Sequence, residues 1–236
     1  MARALQVLDA FLDSNGSLSL AEVSARTGLY KSTIGRILRT LELHDYVVRT
    51  AHGAFHVGPA LLRLATRYQE ATRPAATVLP ALRTLSRRTG ENASFVVPLG
   101  QERIVLHRVH SSQALRDHGL AGDVVPLERG AAGHVFRAWR APERDVAGDN
   151  GAVMLFRSEG EIEAGMSGLA CPIFDDGGSC VAVVALTGPA SRFTARARRA
   201  FAPHLLAAAR ALTRREGGDV RRFAAALADA RGGATA

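Results

Sequence analysis

Leu18–Arg49, LSLAEVSARTGLYKSTIGRILRTLELHDYVVR, decides how the N-terminal part of this chain folds. Ser19 stands where an N-cap belongs and Glu22 follows three residues later, so a capping box opens a first helix. Leu20, Val23 and Ala25 are its expected inward residues, and Gly28 supplies the left-handed residue that ends it. After the turn Gly28-Leu29-Tyr30, apolar residues recur at Ile34, Ile37, Leu38 and Leu41, the i, i+3, i+4, i+7 spacing of an amphipathic helix. The opposite face carries Lys31, Ser32, Thr33, Arg36 and Arg39. Residues 46–49 and 54–57 are β-prone and are joined by Thr50-Ala51-His52-Gly53, which reads as a hairpin with a polar tip. A solvated basic face would account for the helical pair taken alone. With the hairpin behind it, the order of pieces is that of a winged helix-turn-helix, which lays its second helix in the major groove of double-stranded DNA. Arg49 and His52 of the wing are then placed to reach phosphate or a minor groove.

The rest of the chain sets bounds on that reading. At 236 residues and 47% hydrophobic content there is room for two modest domains with real cores. The net charge of +8 favours a polyanionic partner, but the charge is uneven. Residues 1–73 carry nine Lys/Arg against six Asp/Glu, residues 74–191 eleven against thirteen, and residues 192–236 ten against three. The middle is therefore not a nucleic-acid surface by composition. Lys31 is the only lysine, at the start of the proposed recognition helix, where a phosphate contact is useful. No apolar run approaches the roughly 18 residues of a membrane helix, and no leader pattern is visible. A soluble, cytoplasmic protein without a membrane partner is expected, with Cys171 and Cys180 as reduced, buried thiols rather than a disulfide.

Periodicity places further elements along the chain. Residues 2–13 read as a helix with Leu5, Leu8 and Leu12 on one side and Val7 and Phe11 widening it. A connector or dimer-forming helix is expected over 60–72 and another over 75–89. Strands are expected over 93–99, 102–110, 124–127, 153–156, 168–174 and 180–187. Helices are expected over 129–139, entered through Gly130-Ala131-Ala132-Gly133, and over 192–215, with a polar loop at 141–151. Residues 220–230 read as a short appended helix before a disordered end. The resulting division is a winged helix-turn-helix over 1–58, a linker helix over 59–73, an effector-binding and oligomerisation domain over 74–215, and a tail over 216–236. The fold class is α+β in two domains, the second an antiparallel sheet with helices against one face.

The ordered set ALQVLDAF, LSLAEVSARTGLYKSTIGRILRTLE and FHVGPALLRLA, followed by GDVVPLERGAAGH, SEGEIEAGMSGLACPIFDDGG and VVALTGPASRFT, resembles the isocitrate-lyase-regulator (IclR) family of bacterial transcription factors over roughly residues 2–212. The resemblance implies an N-terminal winged helix-turn-helix and a C-terminal effector-binding domain of GAF-like fold. It also implies a homodimer or homotetramer on a palindromic operator, no cofactor, and a small-molecule effector, an organic acid or aromatic carboxylate. By position it places Ala131, Ala132, Gly133, Ser158, Met166, Gly168, Ala185 and Thr187 around the effector. Two departures stand out: Gly133 is followed by His134 where the family usually has lysine, and the segment leading to Ser158 is shorter than usual.

Physical chemistry supports part of that placement. Small residues at a helix start expose backbone N–H groups to an anion and let a ligand approach closely. The same small residues also suit tight helix-to-sheet packing. Other constellations point to less. His107 and His110 lie three apart on a strand, which aims them to opposite faces, so a metal site is not expected. Cys171 sits in the apolar run LACPIF, unlike a reactive thiol. Asp175-Asp176 and Glu159/Glu161/Glu163 fall in turn and loop contexts. No G-x-S-x-G, P-loop or Rossmann fingerprint occurs. An enzyme with a vestigial DNA module is thus disfavoured, whereas a constitutive DNA-binding regulator whose second domain only oligomerises stays open. Arg196, Arg198, Arg199, Arg210, Arg214 and Arg215 give the last long helix a basic character, read as a solvated face rather than a second DNA site.

Overall fold

The computed structural model describes residues 1–12, 14, 16–72, 75–139 and 154–232; the expected loop at 141–151 lies outside them. The chain divides into two units, Met1–Thr72 and Arg73–Ala236. The first contains α1 (Ala2–Asp9), α2 (Leu20–Thr27), α3 (Lys31–Leu43), β1 (Val47–Arg49), β2 (Phe55–Val57) and α4 (Pro59–Thr72). The capping box forms as the sequence requires: Glu22 N–H donates to Ser19 Oγ at 3.2 Å, and Ser19 N–H donates to Glu22 Oε2 at 2.7 Å. Gly28 closes α2 with φ 68°. Val7, Phe11, Leu18, Val23, Ile34, Leu38, Val47 and Phe55 form the core, and Leu18 pairs with Phe55 through two backbone hydrogen bonds.

Two inward assignments change. Ala25 is exposed, because α2 turns only one narrow stripe, centred on Val23, toward its neighbours. In α1, which stops at Asp9, Leu5 and Leu12 are exposed, while Val7 and Phe11, four residues apart, make the buried stripe. Gly58 closes the wing onto α4: its N–H donates to the Tyr46 carbonyl at 2.7 Å, and a Cβ there would fall on the Asp45 carbonyl oxygen.

The second unit contains α5 (Ala75–Thr89), β3 (Asn92–Leu99), β4 (Glu102–Val109), β5 (Val124–Pro126), α6 (Gly130–Trp139), β6 (Phe156–Glu159), β7 (Met166–Phe174), β8 (Cys180–Pro189), α7 (Ala195–Arg215) and α8 (Ala224–Gly232). All strand pairs are antiparallel, in the order β5-β4-β3-β8-β7-β6. α5 and α7 pack together over one face of β3, β4, β7 and β8, and α6 lies against β6, β7 and β8 on the other. Helices therefore flank both faces, not one, which explains why β7 and β8 are buried almost throughout. The strand expected over 153–156 is shifted: β6 begins at Phe156 and runs through Ser158, pairing with Ser167–Ala170.

Residues beyond α7 are not a loose tail. Phe223 is fully buried in the main core, with its ring 6.2 Å from Phe174, which in turn meets Trp139 edge-on at 4.9 Å. Arg222 lies over the Phe174 ring at 4.8 Å and donates to the Gly178 carbonyl at 3.2 Å. Cys171 and Cys180 are free and buried, and burial pushes the Cys171 thiol well up from its ordinary pKa. No helix among the described residues is long and apolar enough to cross a membrane.

Candidate functional site

The first unit presents a polar face on α3. Ser32, Arg36 and Arg39 follow one another at i, i+4 and i+7 on its exposed side, opposite the buried pair Ile34 and Leu38. Thr33 flanks them, half-buried, and Lys31 stands exposed at the first turn. Tyr30, the N-cap, makes no side-chain cap bond, so the amides of that turn keep no side-chain partner from the cap. In the wing, Arg49 and His52 are exposed, and the Arg49 guanidinium rests 5.6 Å from the centre of the Phe55 ring.

The second unit encloses a cavity of about 160 Å³ between the sheet, α6 and the Gly160–Gly165 loop. Ala131, Ala132, Ser158, Met166, Gly168, Ala185 and Thr187 all line it. Gly133 does not: its Cα is turned away, and a Cβ there would meet the backbone of Leu127 and Glu128. The close approach that makes glycine necessary is thus to the chain itself. The α6 start is also not an open anion site. The Gly130 N–H donates to Glu161 Oε2 at 2.9 Å, an oxygen that also stands 3.0 Å from His134 Nε2. His134, half-buried and outside the lining, holds the loop rather than facing the cavity.

Spacing and composition give no sign of the charged groups in this wall. Arg108 is paired with Asp117, and its Nη2 also donates to Thr187 Oγ1 at 3.1 Å, whose hydroxyl donates to Asp117 Oδ2 at 2.8 Å. Burial pushes the Asp117 carboxyl up, but the Arg108 charge and the Gly119 N–H outweigh it and hold the group below the usual aspartate range. Arg103, 5% exposed, donates through Nη1 to the carbonyls of Pro126 and Leu127. Burial pushes its pKa down to about 10, against the field of Glu161, so it remains a cation at neutral pH.

Both arginines face the cavity because of one irregularity. The β3–β4 register slips between Phe95, opposite His107, and Val96, opposite Val105, leaving Leu106 as an extra residue. A bulge of this kind resets the alternation of side chains. Without it, residues 103 and 108 would point to opposite faces. The remaining constellations stay inert. His107 is buried while His110 is exposed beyond β4, and no metal-holding cluster exists among the described residues.

A DNA-reading helix with a wing, carried by the same chain as a ligand-sized cavity, defines a ligand-responsive transcription regulator. Similarity to known proteins narrows that class. The IclR helix-turn-helix domain matches residues 1–51, and the bacterial transcriptional regulator IclR C-terminal domain matches residues 68–147 and 156–214. The chain belongs to the IclR family. It is 25% identical to the transcriptional repressor IclR of Escherichia coli over 92% of this chain and 90% of that protein. It is 24% identical to the transcriptional repressor AllR of Salmonella typhimurium over 82% and 81% of the two. The crystal structure of the Thermotoga maritima IclR superposes with a TM-score of 0.72 at 20% identity, covering 92% of this chain and 98% of that one. An IclR homolog from Microbacterium hydrocarbonoxydans, complexed with 4-hydroxybenzoate, gives 0.72 at 20% identity over 97% and 98%. The protein is accordingly a DNA-binding transcription regulator with an effector-binding C-terminal domain, and not an enzyme.

Proposed function

We propose that this regulator binds a palindromic operator as a homodimer or homotetramer and that a small organic acid in the second-unit cavity modulates the binding. In this reading Arg36 reads a base edge, with Ser32, Thr33 and Arg39 around it. Lys31 and the first amides of α3 hold phosphate, and Arg49 and His52 of the wing contact the flanking backbone or groove. The exposed Leu62 and Leu64 of α4 offer apolar surface for a second copy. The effector would touch Ala131, Ala132, Ser158, Met166, Gly168, Ala185 and Thr187. Repressor-named relatives favour repression as the sign of control.

The observation that carries the effector reading is the cavity's size and lining. About 160 Å³ matches the roughly 150 Å³ that admits a benzene-sized molecule. Buried cations at its wall suit a carboxylate. The 4-hydroxybenzoate bound by the Microbacterium homolog is an acid of that size. Binding would shift the populations of dimer arrangements that match the operator's half-site spacing. Footprinting the DNA upstream of the protein's own gene tests this, with and without millimolar benzoate and hydroxybenzoates. A symmetric footprint that weakens or strengthens with one of these acids is expected. A footprint indifferent to all of them would leave a constitutive regulator.

A further inference from the structure

The cavity is electrically two-ended. Ser94 and Arg108 are direct partners across β3 and β4, so their side chains share a face with Cβ atoms about 5 Å apart. Both end in buried polar atoms with no hydrogen-bond partner, Ser94 Oγ and Arg108 Nε, and both residues line the cavity. Buried donors are rarely left this way without a ligand or water to take them. The charge at this end is already cancelled, because Asp117 and Thr187 hold the Nη2 edge of Arg108. What remains is a neutral donor pair.

The other end differs. Arg103 spends Nη1 on two neutral carbonyls, and no carboxylate among the described residues lies within ion-pair distance of it. Arg103 and Arg108 stand five residues apart on β4, brought to one face by the bulge at Leu106. One wall of the cavity thus carries an unpaired cation, and a neutral hydrogen-bonding pair lies further along.

We propose that the cavity selects a benzene-sized monocarboxylate with a hydroxyl or carbonyl oxygen at its far end, its carboxylate toward Arg103 and the far oxygen on Arg108 Nε and Ser94 Oγ. This rests on the cavity being the effector site. A second carboxylate at the Ser94 end would face the Asp117 carboxylate, so dicarboxylates are disfavoured. A site that offers buried donors discriminates strongly against an analogue lacking the acceptor, since the donors are then left unpaired.

Calorimetric titration of the full-length protein with benzoate, 3- and 4-hydroxybenzoate, 4-hydroxybenzamide and terephthalate tests it. At least one hydroxybenzoate should bind about tenfold or more tighter than benzoate, and the amide and the dianion more weakly than that hydroxybenzoate. Ser94→Ala, a small deletion, should shrink the hydroxyl preference severalfold while leaving benzoate affinity unchanged. Arg103→Met should weaken both acids alike and spare the amide. Should that variant fail to fold, the acid-against-amide comparison on the unaltered protein carries the same information. Equal affinity for benzoate and both hydroxybenzoates, an amide as good as its acid, or Ser94→Ala lowering benzoate and hydroxybenzoate by the same factor would each overturn the two-ended site while keeping the cavity as an effector site. If none of the five compounds binds, the effector reading of the cavity falls and this inference with it.

Discussion

Single residues carry the chemistry at both sites, and the two sites differ in how plainly the sequence displays them. On α3, spacing suffices: Ser32, Arg36 and Arg39 must share a face once Ile34 and Leu38 are buried. Arg36→Ala should relax sequence preference at one position in each half-site, because a bidentate arginine–guanine contact is worth about 1–3 kcal/mol of discrimination. Lys31→Ala should instead weaken binding to all sequences and lower the salt slope by about one unit for each phosphate no longer neutralised. Binding to a base-substituted operator series at several salt concentrations separates the two. In the cavity, by contrast, Arg103 and Arg108 look like opposite-facing residues of one strand until the extra residue at Leu106 is seen. A one-residue slip carries no compositional mark, so nothing in the residue pattern warns of it. Asp117 lies in a loop whose route spacing does not predict. Its folded-state pKa is depressed, so its stabilising contribution is present above the ordinary aspartate range and is lost as pH falls through the depressed value. Urea unfolding of Asp117→Asn should show a loss of roughly 3 kcal/mol at pH 7, from stranding the buried Arg108 charge. The deficit relative to the unaltered protein should narrow below about pH 4. A deficit that stays constant down to pH 2 would remove the ion pair from this role.

At the scale of elements, types are legible in the sequence and edges are not. The capping box and Gly28 fix the ends of α2 because both act through local backbone bonds. The bounds of β6 escape a local reading because they depend on pairing with Ser167–Ala170, a partner remote from its own residues. The start of α6 has the local marks of an anion site, whereas Glu161, from the loop after β6, already caps it. α6 nonetheless contributes the cavity wall through Ala131 and Ala132, which are buried and small. Ala132→Leu therefore distinguishes a ligand wall from packed core. If the space is kept for a ligand, the side chain fills it, the melting temperature stays near normal and acid-dependent changes in operator binding disappear. In packed core the same change would cost about 1–3 kcal/mol. Thermal melting together with a footprint titrated with hydroxybenzoate reads both outcomes, and the first is expected.

Across the whole molecule, the family match stops at residue 214, yet the folded structure does not. Composition alone suggests a tail after α7, since Gly217-Gly218 and a run of alanines and arginines carry little packing signal. A single aromatic reverses that. Phe223 is fully buried beside Phe174, and the segment is tied down further by the bridge between Asp175 and Gly217 and by Arg222 over the Phe174 ring. The extension therefore completes the core at the end of β7, next to Trp139 on α6. Phe223→Ala should cost about 3–5 kcal/mol, the range for an aromatic deleted from a core. For a unit of this size that lowers the melting temperature by ~10 °C. Arg222→Gln should cost only about 1 kcal/mol, the usual worth of a cation over an aromatic ring near the surface. A chain ending at Arg215 should melt at least as low as Phe223→Ala, since it loses the same ring and the bridge as well. Calorimetric melting of the three variants beside the full chain decides the matter. Should the shortened chain melt where the full chain does, the extension would be an appendage after all, and the core of the second unit would close without it.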